Sequence, residues 1–78
     1  MEDKKENGII LFDTTQAAIK AEKALDRSGI KIKIIPVPRH ISTNCGISIM
    51  FDMNDIDRVR LVLKDNNVPI SDISSFNP

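Results

Sequence analysis

Four consecutive apolar residues, Ile9, Ile10, Leu11 and Phe12, constrain this chain more than any other feature. Successive side chains of a strand point to opposite faces, so an unalternating run is comfortable only where both faces are covered. Residues 8–12 are therefore expected to form a central strand. A chain of 78 residues has room for one core only, because a domain of this size buries about 60% of the surface its unfolded form exposes. The expectation is one α/β domain over residues 8–78, preceded by a flexible lead-in over residues 1–7. That lead-in is charged, and the apolar run after it is too short for a signal-peptide core or a membrane span.

Past Phe12, Asp13 stands where a helix N-cap is needed, and Gln16 three residues later can complete a capping box. On the helix that follows, Ala17, Ala18, Ala21, Ala24 and Leu25 share one face, while Lys20, Lys23, Asp26 and Arg27 lie off it. An alanine-rich face lets a helix sit close to a sheet. Gly29 can take the left-handed conformation at the helix end, and Ile30 can pack back on the last turn.

From Ile30 the residues alternate, which puts Ile30, Ile32 and Ile34 on the helix-covered face and Lys31 and Lys33 on the other, until Pro36 and Pro38 stop the strand. A third strand over residues 46–51 points Ile47, Ile49 and Phe51 together. Asn54 is expected to cap a second helix whose buried stripe is Ile56, Val59, Val62 and Leu63, closed by Asn66 and Asn67. Residues 68–76 hold a short edge strand at most.

Strand, helix, strand, strand, helix, strand is the order of the ferredoxin-like βαββαβ sandwich, an α+β fold with two helices on one face of an antiparallel sheet. The face away from the helices must then carry Ile35, Met50 and either Ile9 with Leu11 or Ile10 with Phe12. That is much apolar surface to leave in water. Packing against a second copy or a partner, or the tail folding over it, would cover it.

Composition removes several function classes. Eleven Lys and Arg balance eleven Asp and Glu, so no long-range field draws the chain to nucleic acid or to an anionic membrane. RNA recognition on a sheet of this kind needs exposed aromatics, and the chain has three phenylalanines, no tyrosine and no tryptophan. Metal transport by small domains of this fold uses paired cysteines, and only Cys45 is present. No metal or other cofactor is expected. One cysteine without a disulfide partner points to a reducing compartment, by default the cytoplasm.

The chemistry-bearing residues cluster between the second and third strands. Residues 36–46 contain the chain's sole cysteine and sole histidine, two of its four prolines and one of its three glycines. The prolines restrict the backbone and so shape the loop. A cysteine reacts as thiolate, with an unperturbed pKa of about 8.5. Arg39 and His40 offer positive charge, Ser42, Thr43 and Asn44 offer donors, and Gly46 leaves the amide beside the sulfur open to approach. Packing of Cys45 as a small buried residue is the competing reading. No third orienting group accompanies His40 and Cys45, and a domain this small offers little cleft, so a hydrolase is not expected; the chain is read as a non-enzyme, with an enzyme subunit completed only by another chain as a third, weaker alternative.

Phe12, Thr14, Thr15, Ala18, Glu22 and Leu25, then Gly29-Ile30, Ile35-Pro36-Val37-Pro38-Arg39 and Ser42-x-x-Cys45-Gly46, form a spaced pattern. Over residues 9–63 it resembles the short bacterial and archaeal proteins of the selenium/sulfur carrier protein-like family. The chain departs from that pattern at Thr14, in place of serine, and at His40; neither change removes the sulfur. The resemblance implies a carrier whose cysteine holds sulfur or selenium as a persulfide or selenosulfide, and Cys45 is the sole candidate. Arg39 and His40, Ser42 and Gly46 would support the site, a cysteine desulfurase-type enzyme would be the donor, and another protein the acceptor. A binding or regulatory module that forms a homodimer through its open sheet face is the alternative, with the thiol incidental.

Overall fold

A computed structural model describes residues 6–38 and 46–76. Its elements are β1 (Asn7–Leu11), α1 (Thr15–Arg27), β2 (Ile32–Pro36), β3 (Ile47–Asp52), a 3-10 turn (Met53–Asp55), α2 (Ile56–Asp65) and β4 (Asp72–Phe76). The strands form one antiparallel sheet in the order β2-β3-β1-β4. This is the expected ferredoxin-like arrangement. The strand without alternation is central, and its residues Ile9, Ile10 and Leu11 are all buried, as is Phe12 just beyond it.

The register settles which apolar residues share a face. Ile9 lies opposite Met50, Met50 opposite Lys33, and Ile35 opposite Ser48. Ile10, Phe12, Ile49 and Phe51 join Ala18, Ala21, Leu25, Val59 and Leu63 in the core between sheet and helices. Ile9 and Leu11 therefore belong with Ile35 and Met50 on the other face, where Ile9 and Leu11 are nevertheless buried within a single chain. The tail does not fold across that face: it pairs beside β1 as an edge strand, from Asn7 opposite Phe76 to Leu11 opposite Asp72.

Gly8 is fixed by packing. The Phe51 ring and the Met53 sulfur cross over it, and a Cβ there would lie 2.7 Å from Phe51 Cε1 and 2.8 Å from Met53 Sδ. Both helices end in the same way. Ile30 N–H donates to the Leu25 carbonyl and Gly29 N–H to that of Asp26, while Val68 N–H donates to Leu63 and Asn67 N–H to Lys64. Gly29 at φ 78° and Asn67 at φ 54° supply the left-handed residue that each Schellman motif needs.

Three local expectations are corrected. Thr14, not Asp13, caps α1: its backbone is extended and its Oγ1 accepts from Ala17 N–H at 3.1 Å. A β-branched residue takes that extended conformation readily, and the helix accordingly begins one residue later than expected. Asn54 does not cap α2; Asp52 accepts from Asn54 N–H at 2.9 Å and thereby caps the 3-10 turn, which delivers Met53 to the core before α2 starts. Finally, Ile30, Ile32 and Ile34 are not equally covered. Ile30 is buried as part of the helix-ending motif, whereas Ile34 is 41% exposed because β2 is a sheet edge beyond the main helix-covered core.

Candidate functional site

The expected reactive loop joins β2 to β3, and its stem is held by backbone pairing. Pro36 lies opposite Ile47, and Val37 N–H donates to the Gly46 carbonyl at 3.3 Å. Because alternate residues of a strand point their N–H groups the same way, this bond directs the donors of Ile35 and Lys33 toward β3 as well. The position of Pro36, which has no N–H, then falls on the open edge, where a proline costs no ladder bond. Pro36 thus closes β2 from inside the strand instead of stopping it short.

Ser48 adds a side-chain tie one step further in. Its side chain is fully buried, and its hydroxyl donates to the Ile35 carbonyl at 3.3 Å. The sequence reading gave Ser48 no role. Its signal was a hydroxyl in the middle of an otherwise apolar strand, and a buried hydroxyl needs a partner.

Gly46 is the one expected site residue among the described residues. It is exposed, and among the described residues other than its chain neighbours no atom lies within 4 Å of the place a Cβ would occupy. Arg39, His40, Ser42 and Cys45, together with Thr43 and Asn44, lie outside the described residues.

The antiparallel register also sorts the chain into two poles. The Leu11 end of β1, the Thr14-capped start of α1, the Ser71 approach to β4, the Pro36 end of β2 and the Ile47 start of β3 share one pole of the sheet. A groove of about 470 Å³ lined by Asn7, Lys31, Lys33, Met50 and Asp52, among others, lies at the opposite pole. Gly46, the expected site residue that is described, is not among its lining residues.

Among the described residues no group of three His, Cys, Asp or Glu side chains is placed to hold a metal ion. Nor is any helix there long and apolar enough to cross a membrane. Residues 7–75 match the family described as "Putative Se/S carrier protein-like". No curated protein and no solved structure matches the chain. The family match spans both helices and nearly all of the sheet, and the chain belongs to that family.

Proposed function

Taking membership of the Se/S carrier family as the premise, we propose that the chain carries a sulfur or selenium atom on Cys45. The observation that carries this reading is the family match across residues 7–75, which includes the chain's sole cysteine. The stem supports it: a loop whose two ends are bonded through Val37 and Gly46 returns its chain to a fixed position at the exposed foot of β3.

The chemistry needs little besides an accessible thiolate. The Cys45 thiolate attacks the outer sulfur of a persulfide on a desulfurase-type donor. A new S–S bond forms, the donor's S–S bond breaks, and the donor leaves as its thiolate; nothing is oxidised or reduced overall. Selenium would move in the same way. Attack by an acceptor thiolate then releases the atom and regenerates Cys45. Arg39 and His40 would favour the anion electrostatically, and Ser42 with the Gly46 amide would orient it by hydrogen bonding. The domain acts as a stoichiometric carrier, with turnover residing in its partners.

Intact-mass measurement under non-reducing conditions, after incubation with a cysteine desulfurase and cysteine, tests the proposal. One added sulfur on the wild type and none on Cys45→Ser is the expected result. A wild type that stays at its bare mass while a control acceptor is loaded, or a Cys45→Ser variant that gains the same mass, would overturn it. Thiol labelling at pH 6 gives a second readout, since a thiolate-rich Cys45 reacts rapidly there and an ordinary thiol slowly.

A further inference from the structure

Helix α1 divides its outward surface by charge. At 100° per residue, Lys20, Lys23 and Arg27 fall within one arc, and Glu22 and Asp26 occupy a different one. Lys20, Lys23 and Arg27 surround a shallow hollow of about 180 Å³, with Ala24 and Asn66 completing its lining. All three cations are exposed, and none has an ion-pair or hydrogen-bond partner among the described residues. Asn66, from the end of α2, has its amide committed to the Val62 carbonyl at 2.8 Å, so α2 meets the stripe with a neutral side chain.

Like charges three and four residues apart on a helix repel by a few tenths of a kcal/mol per pair. Lys20 with Lys23, and Lys23 with Arg27, both stand at such spacings, and although Asp26 lies three residues from Lys23, no ion pair joins either acid of this segment, Glu22 or Asp26, to the three cations among the described residues. In a chain whose eleven basic and eleven acidic residues cancel overall, three of the eleven cations are gathered here. We propose that the α1 stripe of Lys20, Lys23 and Arg27 is a docking surface for the acidic face of a partner protein. The stripe runs about 10 Å along the helix, the length of two turns, which suits carboxylates displayed at helical spacing on a facing surface. Nucleic acid fits less well, because Phe12 and Phe51 are buried and, among the described residues, no exposed aromatic flanks the cations to stack a base.

The surface is independent of Cys45, so its test contains no sulfur chemistry. An NMR titration of the intact chain with a synthetic oligoglutamate peptide is expected to shift amide resonances along the exposed side of α1 and at Asn66. Reversing the stripe with Lys20→Glu, Lys23→Glu and Arg27→Glu is expected to weaken binding by about tenfold or more, the factor that about 1.4 kcal/mol of lost charge complementarity produces. Neutral Lys20→Gln, Lys23→Gln and Arg27→Gln should show an intermediate loss with the spectrum of the folded chain intact. Reversal at Lys31 and Lys33, on β2 and its approach, should change affinity by less than about twofold on the same scale. Undetectable peptide binding, equal loss from the Lys31 and Lys33 reversal, or tighter binding of an oligonucleotide to the same residues would each overturn the proposal.

Discussion

Strands β1 and β2 are equally long, five residues each, and both are rich in isoleucine, yet they live in different environments. In β1 four residues are buried; in β2 none is. The cause is position in the sheet. β1 has neighbours on both sides, whereas β2 has only β3 and presents its other edge to solvent. Side-chain chemistry makes a segment fit for burial, but sheet order decides whether burial happens. The consequence for the proposed carrier is that the segment bearing Cys45 runs between two unlike stems: β2, an edge strand with no buried residue, and β3, a strand anchored in the core.

The contrast should be measurable as stability. Ile10→Ala in β1 removes a fully buried side chain and is expected to cost about 2–5 kcal/mol, whereas Ile34→Ala in β2 should cost less than about 1 kcal/mol. Urea titrations of the two variants give both numbers, and equal losses would show that the edge strand is as enclosed as the centre. Next in size is a pair of glycine substitutions. Gly8→Ala drives a methyl into the Phe51 ring and should cost about 1–3 kcal/mol, while Gly46→Ala meets no atom of the described residues beyond its chain neighbours and should stay within about 0.5 kcal/mol of the wild type. The same titration distinguishes them. Smallest is Ser48→Ala, which deletes the hydroxyl bond to the Ile35 carbonyl and should cost about 0.5–1.5 kcal/mol. Amide hydrogen exchange in that variant should quicken at Val37 while Ile10 keeps its protection; uniform quickening would mean that β2 and β1 open together.

Much of the core is legible in the sequence alone. The five residues assigned to the inner face of α1, Ala17, Ala18, Ala21, Ala24 and Leu25, are the five that are buried there. A 3.6-residue period records which way a helix turns its apolar side, and it does so without reference to the rest of the fold. The same holds for Gly29, whose role at the helix end needs only local backbone geometry. The exposure of Ile34 was not legible, because alternation tells which residues share a face and says nothing of how far the helices extend across the sheet. The start of α1 was misread for another reason: Asp13 and Thr14 are both competent caps, and the choice between them depends on where the chain leaves Phe12, a tertiary matter. At the candidate site, composition singled out the loop and its cysteine, and the ladder at its base explains how the loop is mounted. The buried tie from Ser48 escaped notice because its partner is a backbone carbonyl thirteen residues away, which no side-chain pattern encodes.

The bond between Val37 and Gly46 has one more implication. Two points of the backbone that are paired close a detour, and the register of the strands on either side is set outside it. Selection could therefore rewrite the residues of that detour to suit a new donor or acceptor while leaving the scaffold untouched. An engineer could do the same, treating the hairpin stem as a socket into which different chemical inserts are fitted.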